Sequence, residues 1–309
     1  MSRVLITGSC GFIGSNLSSW LEKLGFEVSG LDITSPKSQS EYTFCSDINS
    51  IDWKKFDLSR FDTVIHLAAK ISVPESLENP EIYFETNFES TKKLFDSCVE
   101  AQVRKVIFSS TAAVYGETDL PVKKVGEEAE TQSPYAESKL LSERYARLLS
   151  NQFSDFVCLR FFNVYGPGQS PTGSYASVIP LFIDRASREE QIHIFGDGNQ
   201  TRDFIHVYDV CNTIASCIKI DTGNFLLANL GTGFGTSINE LFRIISKSAV
   251  SLGLNPTKAV FQKTREGDIY HSIADTSGIS EIVDIDAFIP LDEGLFDLFN
   301  RTMDGKMER

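Results

Sequence analysis

The amino-acid sequence predicts an α/β protein, with a doubly wound parallel sheet followed by a smaller C-terminal α/β domain. A short apolar strand pattern, Arg3–Thr7, runs through a glycine turn straight into a helix pattern. Strand and helix patterns then alternate as far as about residue 161, which is typical of parallel sheets with right-handed crossovers. Proline and glycine become frequent from about residue 163, which indicates a change of domain.

The expected domain division follows from these patterns and from the length of the chain. A length of 309 residues suffices for roughly two domains, and 41% hydrophobic with 23% charged residues is typical of a globular protein. We expect a first domain at 1–165 and a second domain at 166–309. A segment near 205–230 is expected to return to the first domain.

Charge and cysteine usage limit the classes of partner. The net charge of −13 argues against nucleic acid or an anionic membrane surface as a partner. The six cysteines are scattered, without metal-ligand spacing, which predicts free thiols in a reducing compartment and no metal site. There is neither a signal sequence nor an apolar run of membrane-spanning length, so we expect a cytoplasmic protein.

The glycine turn after the first strand has the spacing of a dinucleotide-phosphate cradle. Gly8, Gly11 and Gly14 stand in the order Gly-x-x-Gly-x-x-Gly, and a helix pattern runs from Ile13 to about Leu24. Gly8 permits a tight turn, Gly11 lets the backbone approach a pyrophosphate, and Gly14 lets the helix pack on the strand. The helix N-terminus offers unpaired amides to the phosphates. The turn therefore predicts a Rossmann-type nucleotide-binding fold.

The next strand, 26–31, ends at Asp32, where a carboxylate can accept hydrogen bonds from the adenosine ribose. It would also repel a 2′-phosphate, and no arginine follows it directly, so the pattern favours NAD over NADP.

Further strands are expected at 42–45 and 63–67. Asp47 and Ile48 follow the first of these and could hold the adenine ring. His66 lies within the second, apolar strand, which indicates a hydrogen-bonded core histidine and not a metal ligand or a base.

A candidate catalytic pair stands at the start of a later helix. Ser133 is a good N-cap residue and a proline follows it, so Tyr135 should open the helix with Lys139 one turn later on the same face. A free phenol loses its proton near pH 10, and a nearby ammonium favours the phenolate. Thr111 follows the strand 105–108, after a long helix predicted from Ile82 to about Ala101, and its hydroxyl could bind the same substrate oxygen. This pair predicts proton transfer at the carboxyl ends of the strands.

Two arginines stand beside glycine-rich turns in the second half of the chain. Arg202 follows Phe195 and two glycines, and Arg265 precedes a glycine and Asp268. In an acidic chain such arginines can bind a diphosphate, or they can pair with neighbouring acids at the surface. The residues alone leave both alternatives open.

Taken together, these segments resemble the extended short-chain dehydrogenase/reductase family, specifically its NAD-dependent sugar-nucleotide epimerases and dehydratases. The resemblance covers nearly the whole length through the glycine turn, Asp32, the segment 66–69, the Tyr-x-x-x-Lys pair and the segments 160–167, 200–204 and 265–268. It implies that Tyr135 is the base, that Lys139 binds the nicotinamide ribose and lowers the tyrosine pKa, and that Thr111 orients the substrate hydroxyl. It also implies a homodimer, in which the helices 82–101 and 135–150 form an intermolecular four-helix bundle.

The resemblance also implies that the domain at 1–165 binds NAD, that the domain at 166–309 binds the nucleotide sugar, and which residues contact these ligands. NAD would contact Gly8, Gly11, Phe12, Ile13, Gly14, Asp32, Asp47, Ile48, Leu67, Ala68, Ala69, Thr86, Ser109, Tyr135, Lys139 and Phe162. The nucleotide sugar would contact Ser72, Thr111, Asn163, Val178, Phe195, Arg202, Arg265, Asp268 and Ser272.

Three positions indicate which member of the family this is. Dehydratases that resemble this chain carry an acid after the active-site Thr or Ser, whereas Ala112 and Ala113 stand here and cannot transfer a proton. The expected reaction is therefore epimerisation at C4. In similar 4-epimerases a tyrosine at the position of Ser272 goes with plain hexoses, and a small residue admits N-acetyl groups. UDP-GlcNAc/UDP-GalNAc is thus the expected substrate pair, with UDP-Glc/UDP-Gal as a further candidate.

Two alternatives stay open at this point. Another epimerase, reductase or dehydratase of the same family, acting on a CDP-, GDP- or dTDP-linked sugar, would keep the same core and change the base pocket. A non-catalytic NAD-binding regulator would usually lack the Tyr-Lys pair, which this chain has.

Overall fold

A computed structural model describes residues 2–35, 43–118, 120–153, 155–172, 177–264 and 269–307. Its strands are β1 (Arg3–Thr7), β2 (Glu27–Asp32), β3 (Thr43–Cys45), β4 (Thr63–His66), β5 (Lys105–Thr111), β6 (Val122–Lys123), β7 (Asp155–Phe161), β8 (Asn163–Tyr165), β9 (Ile192–Phe195), β10 (Thr201–Arg202), β11 (Phe204–His206), β12 (Asn224–Leu230), β13 (Thr236–Ser237), β14 (Ala259–Gln262) and β15 (His271–Ala274). Its α-helices are α1 (Phe12–Lys23), α2 (Val73–Glu78), α3 (Pro80–Tyr83), α4 (Ser90–Glu100), α5 (Pro134–Leu149), α6 (Val178–Ala186), α7 (Val207–Lys219), α8 (Ile238–Ser251), α9 (Ser277–Ser280) and α10 (Leu291–Met307).

The central sheet has seven strands within the described ranges, in the order β12-β7-β5-β4-β1-β2-β3. Every neighbouring pair in it is parallel. The order turns back at β1, because β2 and β3 extend to one side and β4, β5, β7 and β12 to the other. Ligands of such sheets bind in the crevice outside the carboxyl ends of the strands, at this point of reversal. The predicted fold class, a Rossmann-type doubly wound sheet, is confirmed.

Apolar side chains cover both faces of this sheet. On one face, α1 and α7 pack with buried residues such as Leu17, Leu21 and Ile214. On the other face, an aromatic group built around Phe95, Phe108 and Phe156 fills the space beneath α4 and α5. Because both faces are covered, the central strands β4, β5 and β7 are almost wholly buried, as is typical of parallel sheets.

The last strand of the sheet comes from far along the chain. β12 lies beside β7 over its whole length, from the pair Asn224–Asp155 to the pair Leu230–Phe161. The helix α7 that precedes it packs on α1. The segment between β8 and α7 thus leaves the central sheet and the chain then returns to it. The assignment of domains at 1–165 and 166–309 stays a prediction.

The remaining C-terminal elements form a second, smaller core. The helices α6, α8 and α10 bury Phe182, Leu241 and Phe299 against one another. A four-stranded sheet in the order β13-β10-β15-β6 joins this part to the first, because β6 comes from the segment before α5. The two parts meet above the carboxyl ends of the central strands.

The predicted helix from Ile82 to Ala101 differs from the structure in form. The helical segment begins earlier, at α3, and passes through a π-helical stretch, Phe84–Glu89, before α4. A π-helical turn carries an extra residue, which displaces the side chains next to it. Thr86 and Asn87 lie in this stretch, both buried, and Thr86 faces the cavity described below.

No helix in the described ranges is both long and apolar enough to cross a membrane.

Candidate active site

A large cavity lies above the carboxyl ends of the central strands, where the two parts of the molecule meet. Its volume is about 1050 Å³. With two exceptions, it is lined by every residue that the sequence predicted to bind cofactor or substrate, including Gly8, Asp32, Tyr135 and Ser272. The exceptions are Arg265 and Asp268, which lie outside the described residues. The structure therefore brings residues that are far apart in the sequence, from Gly8 to Ser272, into one site.

The glycine turn is shaped by close backbone approach. Gly8 has a φ of +74°, which favours glycine, and a Cβ on Gly14 would lie 2.1 Å from the Gly8 carbonyl oxygen. The N-cap of α1 is Gly11, which has no side chain to bind the first amides of the helix. These amides are therefore available at the edge of the cavity, and the turn fits a dinucleotide diphosphate.

Asp32 sits at the end of β2 with its carboxylate fixed by the neighbouring backbone. Its Oδ2 accepts a hydrogen bond from the Cys10 amide at 2.9 Å, and its Oδ1 accepts from the Thr34 amide at 3.0 Å. Carboxylate oxygens can accept further hydrogen bonds, which suits the ribose hydroxyls of NAD. The residues of this half of the cavity thus fit the cofactor that the sequence predicted.

The candidate catalytic helix begins as the sequence predicted. The Ser133 Oγ accepts a hydrogen bond from the Ala136 amide at 3.2 Å, and Pro134 occupies the first helical position of α5. Tyr135 is thereby set in the first turn, half-buried, with Thr111 of β5 as a hydrogen-bond partner of its hydroxyl. Lys139, buried one turn later, donates to the Ser109 carbonyl at 2.7 Å.

Burial acts against the charged forms of both Tyr135 and Lys139. Burial lowers the pKa of the Lys139 amine from its usual value of 10.5 to about 7. Burial also raises the pKa of Tyr135, although the hydrogen bond to Thr111 acts in the opposite direction. The sequence predicted a tyrosine pKa lowered by the lysine. In the protein alone desolvation disfavours the charge on both groups, and the lowering of the tyrosine pKa by Lys139 stays a prediction.

His66 is a core histidine, as its place in an apolar strand indicated. One ring nitrogen lies 2.6 Å from the Thr7 hydroxyl and the other 2.8 Å from the Thr91 hydroxyl. Burial holds the pKa of the ring well below its usual value, so it is neutral. Across the described ranges, no group of His, Cys, Asp and Glu side chains is arranged to hold a metal ion.

A group of hydrogen bonds and ring contacts beside Tyr135, the candidate catalytic residue, was not predicted from the sequence. The buried Asn87 amide binds both the amide nitrogen and the carbonyl of Lys70, at 2.8 and 2.9 Å, and so fixes the loop after β4. Tyr83 donates to Glu75 at 2.8 Å and packs edge-to-face on Tyr135, with 6.4 Å between ring centres. In the sequence these side chains look like the polar positions of ordinary surface helices, so no local signal marks them.

The opposite half of the cavity contains the predicted substrate residues. Arg202 and Ser272 are register partners on β10 and β15, so they lie side by side in the cavity wall. Ser272 is small and almost wholly buried. Ala112 and Ala113, directly after β5, also line the cavity, so no acidic side chain stands at those two positions.

The chain is similar to known proteins in sequence and in overall fold. Residues 4–223 match the NAD dependent epimerase/dehydratase family. A UDP-glucose 4-epimerase of Pisum sativum is 31% identical over 296 residues, covering 83% of this chain and 85% of that protein. The solved structure of MoeE5 with UDP-glucose and NAD has a TM-score of 0.88 at 32% identity, and covers 99% of this chain and 100% of its own.

Two further solved structures show the range of similar proteins. A UDP-N-acetylglucosamine 4-epimerase from Methanobrevibacter ruminantium M1, solved with UDP-N-acetylmuramic acid, has a TM-score of 0.85 at 33% identity, covering 99% of this chain and 98% of its own. An NAD dependent NDP-hexosamine 5,6-dehydratase, TunA, has a TM-score of 0.83 at 29% identity, covering 96% of each chain. On the match to its sequence family and on these relatives, the chain belongs to the NAD-dependent epimerase/dehydratase family.

Proposed function

We propose that the protein is a UDP-sugar 4-epimerase that inverts C4 of UDP-GlcNAc and UDP-GalNAc. The observation that carries this proposal is the surroundings of Tyr135. Its hydroxyl is hydrogen-bonded to Thr111 at the cavity wall, and the neighbouring positions Ala112 and Ala113 offer no second proton-transfer group. Such a site supports removal and return of one proton at the oxygen of a single hydroxyl group, without elimination of water.

The chain's own residues would act as follows. Thr111 and Tyr135 would bind the C4 hydroxyl, and Tyr135 would take its proton as general base. Lys139 would hold the nicotinamide ribose and, when charged, support the phenolate. NAD, when bound, supplies the acceptor and donor of the C4 hydride. Tyr135 would return the proton after the sugar has rotated in the cavity and presented its other face, which gives the opposite configuration at C4.

The preference for an N-acetylated sugar rests on Ser272. Its small side chain lies beside Arg202 in the cavity wall, so no bulky group stands at this position to exclude an acetamido group. Replacing Ser272 with tyrosine should exclude the larger sugar only, so the ratio of kcat/KM values should change as well as the overall rate. A pocket contact of one methylene is worth roughly 1–3 kcal/mol, and the clash should cost at least this much.

The test is a panel of nucleotide sugars, incubated with the NAD-loaded protein and separated by chromatography. We expect the C4 epimers of UDP-GlcNAc and UDP-GalNAc, and Ser272→Tyr should lose this activity while retaining that on UDP-Glc and UDP-Gal. Conversion of plain hexoses only by the natural protein, or equal loss of both activities in the variant, would show that Ser272 does not select the substrate. A 4-keto-6-deoxy product or a decarboxylated sugar would show that the protein catalyses another reaction of the family and not epimerisation.

The protein is also proposed to be a homodimer. The segments α3–α4 and α5 present exposed apolar side chains, among them Ile82 and Leu148, on the face away from the central sheet. Two such helix pairs can pack as a four-helix bundle.

A further inference from the structure

A buried ionic cluster lies directly behind the proposed catalytic residues. Arg160 of β7 donates from Nε to Glu143 Oε1 at 2.9 Å and from Nη2 to Glu143 Oε2 at 2.6 Å. The side chains of Arg160 and Glu143 are 1% and 3% exposed. Ser110 donates a further hydrogen bond to Glu143, and Glu128 binds the remaining arm of the guanidinium. A two-armed contact of this kind fixes the carboxylate in one orientation.

Glu143 follows Lys139 by one turn of α5, so the two side chains lie on the same face of the helix. The direct contacts of Lys139 are uncharged: the Ser109 carbonyl at 2.7 Å and the Phe108 ring, whose centre is 4.6 Å from Nζ. Neither contact fully replaces the water lost by a buried ammonium. Burial therefore lowers the Lys139 pKa to about 7, and the negative charge of Glu143 acts in the opposite direction.

The other titratable groups around Lys139 carry no negative charge in the neutral pH range. Burial keeps His66 of β4 neutral and raises the pKa of the Cys158 thiol of β7 well above its usual value. Tyr135 is protonated in the protein alone, because burial raises its pKa. Among the described groups that act on Lys139, Glu143 is the carboxylate. The charges then alternate from Lys139 through Glu143 and Arg160 to Glu128.

We propose that Glu143, anchored by Arg160, is a positioning residue that keeps the Lys139 amine charged beside Tyr135. The inference rests on the proposed function in one respect, because the charged amine is the form that the proposed reaction needs. Without the carboxylate, the cations of Lys139 and Arg160 would be buried together, and Lys139 would be neutral over a wider pH range. If Glu143 only held α5 against β7, replacing it would lower the stability of the protein and leave the charge of Lys139 unchanged.

The decisive variant is Glu143→Gln, which keeps the shape of the side chain and removes its charge. Lysine labelled with ¹³C at Cε reports the charge of each amine by NMR, and the Lys139 signal is assigned by its absence from Lys139→Met. We expect the Lys139 titration midpoint to fall by about one pH unit or more, with and without NAD. In turnover assays of Glu143→Gln, the alkaline limb of the pH profile of kcat should move to lower pH by a similar amount. Part of the lost activity should be recovered near pH 6. An unchanged midpoint in Glu143→Gln overturns the proposal.

A control separates charge from stability. Asp155→Asn breaks another buried ion pair, to Lys105 at 2.8 Å, at the opposite end of β7. It should lower the melting temperature as Glu143→Gln does, yet leave the Lys139 midpoint and the kcat profile in place. An equal shift of the midpoint in Asp155→Asn also overturns the proposal.

A second variant covers the case in which Glu143→Gln does not fold. Glu128 is 22% exposed, so Glu128→Gln is a milder change at the far end of the cluster. It leaves Arg160 less compensated and should shift the midpoint in the same direction by a smaller amount. If Glu143→Gln cannot be prepared, an unmoved midpoint in Glu128→Gln overturns the proposal. The NMR readout needs no turnover, so absence of epimerase activity in the natural protein would remove the proposed function and leave this test intact.

Discussion

Tyr135 and Lys139 lie one helical turn apart, in surroundings that oppose the charges that the proposed reaction needs on both side chains. Proton transfer from a sugar hydroxyl needs a phenolate and, beside it, an ammonium. Burial in the cavity wall disfavours both charges, because it raises the tyrosine pKa and lowers the lysine pKa to about 7. The cost of burial is therefore concentrated on the residues that the proposed reaction uses, which is common at active sites.

Replacing Tyr135 with phenylalanine should remove the base and change little else. The ring keeps its edge-to-face contact with Tyr83, so the fold and NAD binding should be preserved. General base catalysis contributes about 100- to 10,000-fold, and we expect kcat to fall by this factor. The measurement is turnover of the purified variant, with circular dichroism and NAD titration as controls. Turnover like that of the natural protein would remove Tyr135 from the mechanism.

Replacing Lys139 with methionine should stabilise the cofactor-free protein, most strongly at low pH. Below about pH 7 the amine is charged in the folded and the unfolded chain alike, so the natural protein bears the full cost of burial. Between about pH 7 and 10.5 only the unfolded chain holds this proton, so this group makes the natural protein more stable as pH rises. The gain from Lys139→Met should be of the order of a few kcal/mol at pH 6, since one pKa unit corresponds to about 1.4 kcal/mol.

Melting temperatures of the two cofactor-free proteins at pH 6 and pH 9 test this expectation. The difference between them should be larger at pH 6. Lys93→Met, on the exposed surface of α4, is the matched control and should show no such pH dependence. A gain of equal size at both pH values would mean that Lys139 is charged throughout.

At the scale of elements, the junction of β1 and α1 depends on the absence of a single carbon atom. A Cβ on Gly14 would meet the Gly8 carbonyl oxygen at 2.1 Å and the Ser9 Cα at 2.8 Å. These are backbone atoms of the phosphate cradle, so relief of the clash must displace the helix from the strand. The change would therefore reach the cofactor site as well as the core.

Gly14→Ala should lower the free energy of unfolding by about 1–3 kcal/mol or more and weaken NAD binding. Denaturant titration and calorimetry with NAD measure the two effects. Gly305 in α10 has open space where its Cβ would lie, so Gly305→Ala is the control. It should be neutral, or more stable by up to about 1 kcal/mol, since alanine is the better helix former. Unaltered stability and NAD affinity in Gly14→Ala would contradict the packing argument.

Elements were predictable from sequence where their signal is local. The glycine turn, the apolar strands and the Ser133 cap of α5 each lie within a few residues, and the structure places all of them close to the expected bounds. The π-helical stretch 84–89 was missed, because an extra residue in a helical turn leaves the apolar pattern almost unchanged. The pair Arg160–Glu143 was missed for another reason: its partners belong to different elements, and sequence spacing does not show which residues meet in space.

At the scale of the whole molecule, the exposed faces of α3–α4 and α5 predict self-association. Leu148 is 78% exposed and Ile82 43%, on the helices proposed to form the bundle. Light scattering at micromolar concentration should give twice the mass of one 34.4 kDa chain. Leu148→Glu should shift this mass toward the monomer. Val250→Glu, a similar change on exposed α8, should leave the dimer intact. A monomeric mass for the natural protein would contradict the proposal.

The return of β12 to the central sheet has a consequence for how the protein is made. A ribosome produces β7 about 70 residues before the strand that covers its outer edge, since β7 ends at Phe161 and β12 at Leu230. In the interval, that edge presents unpaired amides and carbonyls, which can pair with other chains. A nascent chain stalled between these two points, or a fragment cut at the predicted boundary near residue 165, should aggregate through this edge and be a substrate for chaperones, whereas extension through residue 230 covers the edge with β12.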